Sequence, residues 1–396
     1  MNFNFLKNTA FYSSVYQFLC LGCIFVLVFN KVFSISFLDV SILRHFVRSL
    51  CYVLAVLNLV VFIREKNYRI CLIFLSCLLV GILCKKFSSS NDLLQLALFS
   101  FAFAKVNFRK AIFVFILTVS VTVLIIVLSS CLDLIDEILY TFRDNEIRNA
   151  FGFRHPNALG AIIFFLIMTV WTYCKNSTKN NLLIILALIF ASIFIGSFVD
   201  SRTAQYMCIL ASAIILGVVV LTKFIKEERI FSNSIIKCLL RSSFLIIALI
   251  SFDLGYLYSK DSPFFVFLNE LLSGRLHLAN NAIMNFAITP FGQILKLSDL
   301  DVYNLSSSSS THYQLLDSFY LSVLYNWGFA SLLVFVFIFD MLMKKAIIRH
   351  NSKLVITLIC FAIYGITEYV YYLICFNIFI YLALAYQNQN IDKDSN

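Results

Sequence analysis

Residues 111–131 read AIFVFILTVSVTVLIIVLSSC, an unbroken run with no charge, no proline and no glycine. At 1.5 Å of rise per residue, a helix of that length is about 30 Å long, the thickness of a bilayer's hydrocarbon core. Comparable apolar runs lie on both sides of it. The 396-residue chain is 61% hydrophobic and 13% charged, against about 45–50% and 25% in soluble domains. No single soluble core could hide that much apolar surface. A transmembrane barrel is excluded too, because its strands alternate apolar and polar residues. The expected fold class is an all-α polytopic integral membrane protein, one membrane domain over 1–396.

Twelve spans are expected, centred on 13–30, 44–63, 70–84, 92–106, 111–131, 157–174, 181–199, 203–222, 239–257, 318–342, 354–369 and 371–386. The Tyr- and Phe-rich stretch around Glu368 also allows the last two to be one long bent helix. With the N-terminus inside, 19 of the 31 Lys and Arg residues fall on the inner side, as positive-inside bias demands. Both termini are then cytoplasmic. The same bias accounts for the net charge of +10 without nucleic acid. Most of the twelve cysteines lie in or at the edge of apolar runs, where a thiol acts as a small hydrophobe. Neither a zinc site nor a disulfide framework is expected.

The inner loops are short and basic. The outer ones are longer and carry the polar chemistry, namely the 132–155 loop and the long 258–317 loop. All three prolines lie on this side. Residues 271–288 have the apolar periodicity of a helix lying across the outer face.

Four outer segments stand out. FGFRHPNALG (151–160) places Pro156 in a first helical turn, and Arg154, His155 and Asn157 either belong to that helix start or aim donors at a ligand. Arg148 precedes them, with Asp144 and Glu146 as neighbouring carboxylates. DSRT (200–203) holds Arg202 in a short turn, paired with Asp200, snorkelling, or forking phosphate oxygens. SGRLH (273–277) supplies Arg275 and His277. DSFYLSVLYNWG (317–328) begins with Asp317, either an N-cap or a catalytic carboxylate whose pKa a helix dipole would lower.

Two or three arginines with one carboxylate suit group transfer from a diphosphate-activated substrate. The arginines neutralise the leaving diphosphate, and the carboxylate takes a proton from the attacking hydroxyl. No Walker motif or HExxH is present, so the substrate must bring its own energy. No metal or other cofactor is expected.

In order and spacing these segments resemble the outer-face motifs of the Wzy-type polysaccharide polymerases, which are related to O-antigen ligases. The resemblance rests on some 30–40 positions within residues 40–386. It implies a GT-C-like, metal-independent, inverting glycosyltransferase of the bacterial cytoplasmic membrane that joins undecaprenyl-diphosphate-linked oligosaccharides into capsule, exopolysaccharide or O-antigen. Arg202 and Arg275 would hold diphosphate and Asp317 would be the base, with His312 as its fallback. Arg154, His155 and Asn157 would shape the site. Implied partners are the growing glycan, a flippase and a chain-length regulator. The ligase relatives often carry His where Asp317 stands, which points away from a ligase. Ligase, lipid-linked sugar transporter and non-catalytic scaffold remain as alternatives, although no internal repeat of the transporter kind is visible.

Overall fold

A computed structural model describes residues 9–38, 43–135, 140–141, 147–225, 227–295 and 316–388. The helices are α1 (Thr9–Ser34), α2 (Arg44–Arg64), α3 (Tyr68–Ser88), α4 (Asp92–Ala102), α5 (Phe108–Cys131), α6 (Pro156–Tyr173), α7 (Thr178–Phe194) and α8 (Arg202–Phe224). They continue with α9 (Glu227–Ser232), α10 (Ser234–Tyr256), α11 (Pro263–Leu271), α12 (Arg275–Asn285), α13 (Phe319–Ser322), α14 (Phe329–Ile348), α15 (Ser352–Tyr364) and α16 (Ala383–Asn388). Among the described residues, eight helices are long and apolar enough to cross a membrane: α1, α2, α3, α5, α6, α7, α8 and α10. The protein is an all-α membrane protein. One two-residue hairpin, Tyr140–Thr141 with Ile147–Arg148, interrupts the helical pattern.

With lipid as solvent, apolar contact alone does not hold helices together, so small and polar side chains do much of the work. Asn58 on α2 is buried and donates to the carbonyls of Phe101 (2.7 Å) and Ala102 (3.0 Å). Tyr16 on α1 donates to the Ala102 carbonyl at 2.6 Å. These bonds satisfy the open C-terminus of α4, which stops after 11 residues. Gly81 lets α3 approach the Leu94 backbone where a Cβ would be 2.8 Å away. Cys20 and Cys23 form a C-x-x-C spacing within α1, and both thiols are buried and free.

Helix α14 has spanning length at 20 residues but carries charge. Its Asp340 takes a bidentate contact from Arg241 on α10, at 2.6 and 3.0 Å. The expected tenth span over 318–342 is broken in two. A π-helical turn, Val323–Trp327, ends at Gly328 (φ 87°) and α14 begins after it. The backbone N–H groups of Phe329 and Ala330 then donate to the carbonyls of Thr289 and Pro290, both at 3.0 Å. Gly292 and Gly328 permit this contact: a Cβ on Gly292 would be 2.1 Å from the Asn326 carbonyl oxygen.

The largest departure from expectation follows α15. Residues 371–382, read from sequence as most of a twelfth helix, leave a short 3-10 helix (Tyr369–Tyr372) and continue as successive turns, with α-helix resuming only at α16. Ile378, Phe379, Ile380 and Leu382 are all buried there. Non-helical backbone at membrane depth is tolerated when protein surrounds it and its polar groups are satisfied. Local bonds do this, including Asn377 N–H to Leu373 and Leu382 N–H to Ile378. The expected helix in 271–288 is present as α12, docked on α10 through Asn280, whose Nδ2 donates to the Gly255 carbonyl at 2.9 Å.

The basic residues of the short loops gather at one end of the bundle. Lys353 Nζ donates to the carbonyls of Cys174 and Lys175, and Arg109 lies over the ring of Tyr173. Arg349 covers Tyr386 in the same way. The other end holds the helix starts and turns that build the site.

Candidate functional site

Five segments remote in sequence meet in one network around the Arg275 guanidinium, three of them touching it directly and Asn157 joining through Glu368. Arg275 is the first residue of α12, positioned by a tight turn in which Ser273 and Gly274 both adopt positive φ. The Gly274 N–H closes that turn on the Asn269 carbonyl at 2.7 Å. From there Arg275 Nε reaches Asp317 Oδ2 at 3.2 Å, Nη1 reaches Thr203 Oγ1 at 3.1 Å and Nη2 reaches Glu368 Oε1 at 2.5 Å. Asn157 Nδ2 donates to the same Glu368 oxygen at 3.0 Å. The three charged side chains are nearly withdrawn from solvent, at 11% exposure for Arg275, 15% for Asp317 and 7% for Glu368.

Backbone contacts bring the two carboxylates together. The Phe319 N–H donates to the Gly365 carbonyl at 2.9 Å, and the Tyr320 hydroxyl donates to the Ala362 carbonyl at 2.7 Å. The start of α13 is thereby fastened to the end of α15, with Asp317 and Glu368 flanking the join. Asp317 is not the N-cap. Ser318 occupies that position, and its hydroxyl pairs with that of Ser251 at 2.9 Å. Burial pushes the Asp317 carboxyl above the usual carboxylate range, opposed by the Arg275 charge. The lowering expected from a helix dipole is not the outcome. Burial also works against the charge on Arg275, but Glu368 and Asp317 outweigh it and the guanidinium is held above its ordinary value.

The other sequence candidates have distinct places. His155 caps α6, its Nδ1 accepting from the Asn157 N–H at 3.1 Å. Arg154 Nε donates to the Ser36 carbonyl at 2.9 Å, beside an isolated bridge between Ser36 and Phe153. Arg202 is exposed at the start of α8, so its neighbour Thr203 is the residue of that turn that joins Arg275. His277 lies two residues beyond Arg275, roughly on the opposite side of α12. Its Nε2 is 3.3 Å from Asn281 Nδ2, and burial, then Lys260, lowers its pKa. Arg148 is on the second hairpin strand, with its side chain outside the described residues. His312 lies outside them altogether.

Asp299 and Asp301, an Asp-x-Asp spacing of a kind that can bind metal, also lie outside the described residues. Among the described residues no three His, Cys, Asp or Glu side chains gather as a metal site would require.

Glu368 and Thr203 are site residues that the sequence motifs do not single out. The signal for Glu368 was a lone carboxylate in the stretch TEYVYYL, since an ionisable group amid apolar residues at membrane depth requires a partner. Thr203 carries no comparable signal. Among the described residues the buried Tyr364 hydroxyl has no hydrogen-bond partner, and it is close enough to Arg275 and Glu368 to interact electrostatically.

Comparison with protein-family models, curated proteins and solved structures finds no match to this chain.

Proposed function

We propose that this chain is a GT-C-like repeat-unit polymerase of the bacterial cytoplasmic membrane, acting on its outer face. Its substrates would be oligosaccharides linked to undecaprenyl diphosphate. The observation that carries the reading is the Arg275 network. Residues from all four motif segments singled out in the sequence contribute to it: Asn157, Thr203, Arg275 and Asp317.

A hydroxyl oxygen of one unit attacks the anomeric carbon of another, and the bond from that carbon to the diphosphate oxygen breaks. The electron pair leaves on the diphosphate, and the hydroxyl proton passes to Asp317. Arg275 engages Oδ2 of Asp317, and we assign Oδ1 to the incoming hydroxyl. Arg202, exposed beside the network, meets the charge of the leaving group. The glycan made would be capsule, exopolysaccharide or O-antigen, with a flippase and a chain-length regulator as partners.

A second reading has its own support. Three nitrogens of Arg275 are already bound by protein side chains, as in a purely structural latch. Membranes containing only this protein, given purified lipid-linked repeat units, discriminate among the readings. A polymerase yields a ladder of lengthened products, a ligase a single transfer to another acceptor, and a transporter or scaffold unaltered units.

A further inference from the structure

A separate cavity of about 330 Å³ opens at the same end of the bundle, between the C-terminus of α1, the N-termini of α2 and α4, and the turns after Glu368. It is within the size range of small-molecule sites. Lys31, Arg44 and Arg48 all line it, each half-buried. Arg44 and Arg48 are one helical turn apart on α2, a like-charge spacing that is mildly destabilising by itself. Asp92 is the one carboxylate lining the cavity, and it already faces the hydroxyls of Tyr372 and Tyr381. Among the described residues none of the three cations forms an ion pair.

Two further features specify the occupant. Leu43, at the N-cap of α2, provides no side-chain cap, so the first N–H groups of that helix add their partial positive charge to the two arginines. The cavity also has apolar walls, from Leu27, Phe99 and Ile374. Clustered guanidinium forks select phosphate oxygens, and apolar walls favour a phosphate that carries a hydrocarbon chain. We infer that this cavity binds the phosphate group of a membrane lipid, a second anion site distinct from the Arg275 network. This inference does not rest on the glycosyltransferase reading.

The test uses the full-length protein purified in detergent, with lipid retention read by native mass spectrometry. The probes are a polyprenyl phosphate, phosphatidylglycerol, phosphatidylcholine and inorganic phosphate. The protein should retain a phosphate-bearing anionic lipid in preference to phosphatidylcholine. R44Q/R48Q should weaken that retention about tenfold or more, since charge-assisted bonds are lost. K179Q, an exposed change at the opposite end, should leave it unaltered. R44K/R48K, which keeps the charge and provides a second route should the glutamine variant not fold, should weaken retention measurably but less than R44Q/R48Q does, by loss of the forks alone. Preference for the polyprenyl phosphate or for phosphatidylglycerol supports the site and identifies its source. Equal retention by parent and both arginine variants would overturn it. So would competition by inorganic phosphate as effective as by either lipid, because the apolar walls would then contribute nothing.

Discussion

Glu368 Oε1 lies 2.5 Å from Nη2 of Arg275, across 93 positions of sequence. The carboxylate follows α15 and the guanidinium begins α12, so this pair joins the long connection between α10 and α13 to the last segments of the chain. Asn157 donates to the same oxygen, which ties the start of α6 into the join. A buried ion pair gives little net stability, but removing one partner leaves an uncompensated charge and typically costs about 3–5 kcal/mol.

Glu368→Gln should therefore destabilise the protein far more than Asp340→Asn. The Arg241–Asp340 pair is 42% and 32% exposed, and such pairs contribute about 0–1 kcal/mol. Unfolding of the two variants in the same detergent, by heat or denaturant, compares them directly. Equal effects would mean that the Arg275 network is not held as a unit.

Much of the bundle was legible because lipid imposes a simple rule of length and apolarity on each helix, as in residues 111–131. The rule fails where other protein surrounds the chain. Residues 371–382 are as apolar as a span, yet they turn repeatedly because protein surrounds them, with α4, α5, α6, α10 and α15 all in contact. The site was legible in part for a related reason. Asn157, Arg275 and Asp317 were marked by polar residues at helix starts, whereas Glu368 lay hidden in a stretch read as membrane helix. Arg202 was singled out in the turn where its neighbour Thr203 makes the contact.

Asp317→Asn should lose chain growth by about 10²–10⁴, the usual contribution of a general base. It should also lose some stability, since Asp317 is a partner of the nearly buried Arg275. The shape-conserving amide keeps that loss below that of Arg275→Ala, which leaves two carboxylates unpaired. Because burial raises the Asp317 pKa, activity should fall on acidification before the pH reaches the ordinary aspartate range. The stability linkage has the opposite sense. A carboxyl raised in the folded state favours folding when protonated, and that contribution is lost as pH rises through its folded pKa. A pH–rate profile together with unfolding at each pH separates the two effects. An asparagine variant extending chains at near the parental rate would remove Asp317 from the mechanism.

Arg202 and Arg275 should respond differently to substitution. Arg202→Ala should lower the rate by about 10²–10³ with stability unchanged, and Arg202→Lys should retain part of the activity because charge remains without the fork. Arg275→Ala should lose both activity and stability, since it leaves two buried carboxylates unpaired. Activity in the parent should persist in excess chelator. Loss in chelator with rescue by Mg²⁺ or Mn²⁺ would direct attention to Asp299 and Asp301.

Orientation is tested by surface labelling of cells in which the exposed Cys131 and Cys238 have been replaced. An impermeant maleimide should label Asp261→Cys, near the start of the long loop, and leave Lys179→Cys untouched until the membrane is opened. The reverse pattern would put the Arg275 network on the cytoplasmic side and remove the proposed outer-face chemistry.

The most direct test counts bonds. Proteoliposomes containing only this protein are supplied with purified lipid-linked repeat units, and both glycan length and free polyprenyl diphosphate are measured over time. Polymerisation predicts one diphosphate lipid released for every linkage formed, with both signals lost together in Asp317→Asn. Repeat units that remain single, with no diphosphate lipid released, would contradict the account.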